Sequence, residues 1–376
     1  MSRLISAGRV VTPARVLAPG WVLVEGDLVT DVQQGPPPRP ADVDYPDSTV
    51  VPGFVDGHVH GGGGASFDAG NADEAAIVAR THLRHGTTTM DASLVTDTPA
   101  ALRRSMRELI PLVQDGLLAG LHLEGPWLSP QHAGAHQPGL LAEPSARGVE
   151  TLVEAAQGHL RMVTLAPELP GGLDAVRRLT TAGVVTAVGH TDATYDQTRA
   201  ALDAGASVGT HLFNAMRGIH HREPGPVTAL LEHPDAYVEL IADGVHLHPA
   251  VLRLAVNRKP HLAVLVTDAM AAAGSGDGDY ELGPMRVEVR GGVARLAGAG
   301  AIAGSTLTMA AAVRFAVVET GLPIEDVVRA ATASPAAMLG YDRAGALRPG
   351  FRADLVVLDA DLGVQRVMQN GRWVDP

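Results

Sequence analysis

Histidines and acids recur at the ends of apolar segments along this chain, and these residue types can bind a divalent cation. His58 and His60 follow an apolar run as an HxH pair, and the alternation of side chains along a strand places both on one face. Later runs end in single polar residues, namely Glu124, His190, His211 and Asp268. Imidazole nitrogens and carboxylate oxygens suit Zn(II) or Fe(II) and leave positions for water or substrate. A lone histidine at a strand end is usually structural, but this repeated pattern predicts a site for one or two ions.

Asp268 and the single lysine of the chain limit which residue could transfer protons at this site and which could bridge two ions. Asp268 ends the apolar segment 263–267 and either caps the next segment or serves as a general base and then a general acid for metal-activated water. The lysine, Lys259, precedes the eighth apolar run, so a carboxylated lysine would lie at the wrong end of that strand. Glu124 is therefore the better candidate to bridge two ions. Thiolate ligands are excluded because the chain has no cysteine.

A short basic segment follows the sixth apolar run and contains His220, His221 and Arg222. The net charge of the chain is −12, so a basic cluster beside a site indicates an anionic group on the substrate. Arg222 can form a bidentate contact with phosphate. A solvated loop is the alternative interpretation.

Eight apolar runs alternate with helix-like stretches in the middle of the chain. The runs are 50–60, 87–93, 118–124, 162–168, 184–190, 207–214, 237–243 and 262–268, and helices are predicted at 73–85, 99–114, 173–182 and 195–204. This alternation predicts a parallel sheet of the α/β class, and eight units in about 250 residues predict a closed (β/α)8 TIM-like barrel. The carboxyl ends of barrel strands meet at one mouth, which would bring the polar residues together. A doubly wound open sheet is the competing architecture.

Both ends of the chain have the short β segments and turns of a small sheet domain. We therefore predict a small β-sandwich assembled from residues 1–51 and 343–376, with the barrel at 52–342 between them. Within the first part, the proline-rich segment 34–46 is predicted as a surface loop. A β excursion at 271–304 interrupts the barrel, and helices at 307–320 and 324–339 close it.

Composition excludes several classes of partner. The acidic net charge of −12 argues against a nucleic-acid ligand. No apolar run approaches the roughly 18 residues that span a bilayer, and the first residues lack the apolar core of a signal peptide. A cytoplasmic protein with no membrane partner is expected.

The motifs around the polar residues resemble the amidohydrolase superfamily, and within it the deacetylase family that acts on N-acetylglucosamine 6-phosphate. The HxH pair alone is common to the superfamily, whereas HLEGP, GHTxATY and THLFNAM together are much more specific. The matching stretches run in order through the whole barrel: PGFVDGHVHGGGG (52–64), LHLEGPWLSP (121–130), GAHQP (134–138), LAPE (165–168), VGHTDATY (188–195), THLFNAM (210–216), REPG (222–225), DGVHLHP (243–249), VTDAM (266–270) and AGSTLTM (303–309).

The resemblance implies metal-dependent hydrolysis of the substrate acetamide, giving acetate and glucosamine 6-phosphate, in amino-sugar catabolism or cell-wall recycling. It implies that Glu124, His190 and His211 hold the essential ion. His58 and His60, with Asp268, can hold a second ion. Asp268 would be the proton shuttle.

The substrate contacts are also implied by the resemblance. The backbone around Ala135, Asn214 and Ala215 and the segment Ile302, Ala303 and Gly304 would line the sugar site, and His136 and His246 would contact the acetamide, with His246 polarising its carbonyl. Arg222 is similar to a residue that reaches the phosphate from a neighbouring subunit, which implies a homodimer.

Other functions remain open at this point. A deacetylase of N-acetylgalactosamine 6-phosphate would have the same motifs, whereas the NAM and REPG stretches argue against a cyclic-amide hydrolase. A non-catalytic sugar-phosphate sensor would be expected to lack a ligand or the shuttle. The loop 129–133 has neither the cysteine nor the basic residues of some relatives, so its part in substrate closure is undefined.

Overall fold

A computed structural model describes residues 2–374, so the outermost positions of the two predicted terminal segments, 1 and 375–376, lie outside the described residues. Five strands open the chain: β1 (Ser2–Val11), β2 (Val16–Leu17), β3 (Gly20–Glu25), β4 (Leu28–Gln34) and β5 (Val43–Pro52). β3 and β4 form an antiparallel hairpin, with Gly26 at φ 63° in its turn. The loop predicted at 34–46 is too long, because the chain already pairs with β1 from Val43, opposite Ile5.

The barrel strands follow in chain order, with a short ribbon between the first and the second. They are β6 (Phe54–Asp56), the ribbon β7 (Gly61–Gly62) and β8 (Ala65–Ser66), then β9 (Thr87–Val95), β10 (Gly120–Glu124), β11 (Leu160–Leu165), β12 (Val185–Val188), β13 (Val208–Gly209), β14 (Tyr237–Ile241) and β15 (Ala263–Val266). The eight strands pair in parallel and in sequence order from β6 to β15. Val59 bridges Ala269 in parallel at the carboxyl end, which closes the cylinder. The predicted TIM-like barrel is therefore confirmed, and the open-sheet alternative is wrong.

Seven helices cover the outside of the barrel up to β15. They are α1 (Ala72–Arg84), α2 (Pro99–Gln114), α3 (Ala146–Ala155), α4 (Gly172–Thr181), α5 (Tyr195–Asp203), α6 (Gly225–Glu232) and α7 (Pro249–Arg258). Local sequence determines where several begin. Thr194 and Gln197 form a capping box before α5, and Thr98 caps α2 with Pro99 in its first turn. None of the described helices has the length and apolar content needed to cross a membrane.

The predicted β excursion is a three-stranded antiparallel sheet of β16 (Gly278–Leu282), β17 (Met285–Arg290) and β18 (Val293–Leu296). Three helices follow: α8 (Met309–Thr320), α9 (Ile324–Ala331) and α10 (Ala333–Leu339). The single helix predicted at 324–339 is wrong because the chain bends at Thr332, at φ −138° and ψ −78°. Pro335 has no N–H to donate to the carbonyl of Ala331, so a continuous helix would lose a hydrogen bond there.

The chain ends in β19 (Leu355–Leu358), β20 (Val364–Gln369) and β21 (Arg372–Trp373). β19 pairs antiparallel with β5, with Leu355 opposite Pro52. One eight-stranded sheet therefore combines strands from both termini, in the order β21-β20-β19-β5-β1-β3-β4 with β2 beside β1. The prediction that the two ends build one small β domain is confirmed. Since β5 leads directly into β6, this sheet holds the start of the first barrel strand in place.

Candidate active site

Three of the predicted ligands form one compact group at the carboxyl mouth of the barrel. Glu124 ends β10, whereas His190 and His211 follow β12 and β13. The Nε2 atoms of His190 and His211 each lie 3.0 Å from Oε1 of Glu124 and 3.1 Å from each other. All three residues are buried. Two imidazoles and a carboxylate directed at one point can hold a divalent cation with positions left for water or substrate.

The other three predicted ligands form a second group beside the first. His58 and His60 have their Nε2 atoms 3.2 Å apart, and Oδ1 of Asp268 lies 3.6 Å and 3.3 Å from them, respectively. Oε2 of Glu124 is 3.2 Å from Nε2 of His60, while its Oε1 faces the first group. Oε1 is also 3.5 Å from Nε2 of His58, so Glu124 contacts both groups and would be placed to bridge two ions.

The donor set fits a divalent metal. The Nε2 atoms of the four imidazoles approach one another in pairs at 3.1 and 3.2 Å, which brings the possible donor atoms of each group close together. The ligand atoms within each group all lie within 4.8 Å of one another. Lys259 is far from this centre, because its Nζ donates to the carbonyl of Ala236 at 2.9 Å and to that of His233. This places Lys259 beside the start of β14.

Backbone strain is concentrated at the ligands. His190, His211 and Asp268 have φ values of 46°, 26° and 47°, and Phe213 and Ala215 also have positive φ. Such conformations cost of order 1–3 kcal/mol each and persist where the surrounding structure determines them. Asp268 is held by hydrogen bonds from its N–H to the carbonyl of His58 (2.9 Å) and from Ser305 N–H to its own carbonyl (2.7 Å). The sharp turns direct these side chains into the mouth.

Charges within the site shift the pKa values of its groups in opposite directions. Burial lowers the pKa of His60, but its hydrogen bonds to Asp268 and Glu124 outweigh burial and raise the pKa to about 9. Burial raises the pKa of Asp268, yet the charge of His58 and the hydrogen bond from His60 bring it to about 2. Asp268 is thus ionised at neutral pH, and so is Glu124, whose pKa the neighbouring imidazoles hold well below its ordinary value despite burial. A cation must displace protons from the imidazoles, so metal affinity should rise with pH.

A cavity of about 310 Å³ opens above the ligands. Most of the predicted substrate contacts line it. These are Ala135, His136, Asn214, Ala215, His246, Ile302 and Gly304, together with the ligands His60, Glu124, His190, His211 and Asp268. A larger cavity of about 670 Å³ adjoins it at Val95, but no predicted ligand lines that space, so the chemistry belongs to the smaller one.

Two predicted contacts lie outside this cavity. Ala303 is fully buried and its N–H donates to the carbonyl of Ala294 at 3.1 Å, so it joins the excursion sheet to the site. Arg222 is exposed on the loop after β13, where its Nη1 lies 2.8 Å from His221 Nε2. Within one subunit, Arg222 does not reach the cavity.

His246 and His136 have different surroundings at the cavity wall. Nδ1 of His246 donates to Oδ2 of Asp243 at 2.6 Å, which leaves Nε2 free. Burial lowers the pKa of His246, but the hydrogen bond and charge of Asp243 outweigh burial and raise it. The N–H of Thr96 donates to Nδ1 of His136 at 3.3 Å, so Nε2 of His136 carries the proton and faces Oε2 of Glu124 at 3.3 Å. His136 thus orients a ligand as well as lining the cavity.

Sequence reasoning missed the residues that support the ligands. Nδ1 of His58 donates to Glu239 on β14 at 3.1 Å, and Asp243 supports His246. Nδ1 of His190 donates to the carbonyl of His132 at 2.8 Å. Gln131 and His132 also line the cavity. A signal existed for Glu239, because an acid in the middle of an otherwise apolar barrel strand must have a polar partner.

The fold and the ligand geometry are those of a metal-dependent barrel hydrolase, and comparison with known proteins agrees. The model of the Amidohydrolase family matches residues 49–374, so the chain belongs to this family.

Relatives that share 30% identity or more with this chain include sugar-phosphate deacetylases. An N-acetylgalactosamine-6-phosphate deacetylase of Escherichia coli O157:H7 is 38% identical over 378 residues, 99% of each chain. An N-acetylglucosamine-6-phosphate deacetylase of Vibrio furnissii is 36% identical over 330 residues, 86% of this chain and 82% of that protein. The structure of a mutant N-acetyl-D-glucosamine-6-phosphate deacetylase from Mycobacterium smegmatis, in complex with N-acetyl-D-glucosamine 6-phosphate, has a TM-score of 0.97 at 51% identity and 99% coverage of both chains.

Proposed function

We propose that the protein hydrolyses the acetamide of N-acetyl-D-glucosamine 6-phosphate to glucosamine 6-phosphate and acetate. The observation that carries the proposal is the convergence of two ligand groups on Glu124 beneath a cavity of about 310 Å³. The similarity to the deacetylase solved with that sugar phosphate, at 51% identity over 99% of the chain, supports the substrate. A non-catalytic sensor is disfavoured because all six ligand positions keep side chains that bind metal.

Asp268 is the proposed proton shuttle. A divalent cation held by the two groups supplies Lewis-acid polarisation of the amide carbonyl and of the attacking water. The ionised Asp268 accepts a proton as the water oxygen bonds to the carbonyl carbon. The same proton then passes to the nitrogen as the C–N bond breaks, so that a neutral amine and acetic acid form, and the acid releases its remaining proton at neutral pH to give acetate.

His246 is the proposed electrophile. Because Asp243 occupies its Nδ1, a protonated His246 donates from Nε2 into the cavity, toward the carbonyl oxygen on which negative charge develops. Preorganised donors of this kind stabilise the transition state and are worth about 3–4 kcal/mol each. The sugar is then held by the cavity wall, where backbone groups and the polar side chain of Asn214 can contact it. The wall residues concerned are Ala135, Asn214, Ala215, Ile302 and Gly304.

We further propose zinc as the ion, with iron(II) as the alternative, a homodimer, and a cytoplasmic location. The homodimer is supported by the exposed loop that carries Arg222, in which the neighbouring Ile219 is 58% exposed. Ile219 precedes Arg222 by three residues, and arginine is enriched at protein interfaces. We also propose domain limits of 1–51 and 343–376 for the small β domain and 52–342 for the barrel.

The test is acetate release from a panel of N-acetylated sugars by protein of measured metal content. N-acetylglucosamine 6-phosphate should be the best substrate, and unphosphorylated N-acetylglucosamine should react far more slowly. No acetate release from any phosphorylated N-acetylhexosamine by zinc-loaded protein would refute the proposal.

A second candidate substrate is the galacto epimer, N-acetylgalactosamine 6-phosphate. It is favoured by the relative from Escherichia coli O157:H7, which is 38% identical over 99% of both chains. The panel therefore includes both epimers, and the ratio of their kcat/KM values decides between them.

A further inference from the structure

We propose that Glu239 is a positioning residue that prepares both ligand groups for metal binding. One of its oxygens, Oε2, accepts a hydrogen bond from Nδ1 of His58 at 3.1 Å and another from the backbone N–H of His211 at 3.3 Å. His58 belongs to one ligand group and His211 to the other. This inference rests on the proposed metal-dependent function and deepens it.

The position of Glu239 is costly and therefore informative. The residue is fully buried on β14, between apolar neighbours. Its second oxygen, Oε1, is buried without a hydrogen-bond partner. Burial of an acid with an incomplete set of partners lowers stability, so packing alone gives no reason for an acid here. Its two accepted hydrogen bonds both lead to predicted ligands.

The first effect of Glu239 is on the tautomer of His58. Because Nδ1 of His58 donates to a carboxylate, Nδ1 keeps its proton when a cation displaces the one on Nε2, and Nε2 faces His60 and Asp268. By contrast, Nδ1 of His60 is buried with no hydrogen-bond partner. Within this group, Glu239 is therefore the acid that orients a ligand through its Nδ1 atom.

The second effect is on the strained backbone at His211. This residue has a φ of 26°, and the only hydrogen bond its N–H makes to a side chain is the one to Glu239. The carbonyl of Glu239 in addition accepts from the N–H of Leu212 at 2.8 Å. One residue of β14 thus fixes the turn that presents His211 and the ring of His58. Loss of the carboxylate should weaken metal binding at both groups.

The experiment is a zinc titration of metal-stripped protein by calorimetry and chelator competition, on wild type, Glu239→Gln, Glu239→Asp and a control. Glu239→Gln keeps shape but removes the charge, whereas Glu239→Asp keeps the charge on a shorter side chain. The control is Asp91→Asn, which removes another fully buried acid of the barrel, level with the first residue of β10 and far from the mouth. Thermal unfolding of each metal-free protein separates a loss of stability from a loss of metal affinity.

Glu239→Gln should weaken zinc binding by about 10- to 100-fold, Glu239→Asp should recover part of that loss, and Asp91→Asn should bind as wild type does. If Glu239→Gln does not fold, Glu239→Asp alone should still show a measurable loss against Asp91→Asn. Unchanged affinity in the Glu239 variants, with wild type binding zinc, overturns this inference and leaves the proposed function standing. A wild-type protein that binds no zinc overturns both.

Discussion

Asp268 is proposed to act both as a metal ligand and as the proton shuttle, because its carboxylate faces the His58 and His60 imidazoles at 3.6 and 3.3 Å and also lines the cavity. Asp268→Asn should keep the fold and the ion at Glu124, His190 and His211. Turnover should fall by about 10²- to 10⁴-fold, because an amide cannot accept the water proton. Acetate release and metal content are measured together, with the exposed Asp235→Asn as control. An undiminished rate would remove the shuttle from the mechanism.

The pair of Asp243 and His246 determines the pH range in which the electrophile is charged. Asp243 raises the pKa of His246, so the protonated imidazole is present at low pH and is lost as the pH rises through that raised value. In Asp243→Asn the charge is gone, and the alkaline limb of kcat/KM should move to lower pH. A rate profile across neutral and alkaline pH checks this. The same alkaline limb in wild type and variant would show that His246 is not the group being titrated.

At the residue scale, the sequence predicted which polar side chains meet at the barrel mouth but not the residues that hold them in place. His58, His60, Glu124, His190 and His211 were identifiable because polar residues at the ends of apolar strands share one mouth in a barrel. Glu239 and Asp243 act through hydrogen bonds to other side chains, and such contacts depend on which strands are neighbours in the closed sheet. Their spacing along the chain carries no such information.

At the element scale, the loop 129–134 lies directly against a ligand, as Gly134 shows. Gly134 has a φ of 58°, and a Cβ there would lie 3.1 Å from Cε1 of His190. Gly116 has a φ of 78° with nothing within 4 Å of such a Cβ. Ala at either position should cost about 1–2 kcal/mol of stability, since both need left-handed backbone. Only Gly134→Ala should also reduce zinc affinity and kcat, by displacing the His190 ring.

Thermal unfolding and metal titration of the two alanine variants make the comparison. Equal effects on metal affinity in both would mean that the loop does not support His190. This contact was not predictable from sequence, because the loop 129–133 resembles that of known deacetylases only in part. The break at Thr332 was also not predicted, because helix-forming residues on both sides favour one continuous helix. Pro335, which cannot donate a backbone hydrogen bond, was the signal against it.

At the scale of the whole molecule, the barrel and the shared terminal sheet were predictable from the rhythm of apolar runs and from the β segments at both ends. The position of Arg222 was not. Within one subunit this residue is exposed outside the cavity. The proposed contact of Arg222 with the substrate phosphate therefore requires the proposed second subunit. A single subunit would then have ligands and shuttle but lack one charge for the substrate phosphate.

Complementation between subunits tests this arrangement. Arg222→Ala should raise KM for the 6-phosphate about 10- to 100-fold, the loss of a charge-assisted contact of about 1.5–3 kcal/mol, and change KM for the unphosphorylated sugar little. Asp268→Asn homodimers should be inactive. When both variants are co-expressed, mixed dimers have one site with an intact Asp268 and an intact Arg222 from the other subunit, so part of the wild-type kcat/KM should return. If the mixture is no more active than the weighted sum of the two homodimers, Arg222 does not act across an interface.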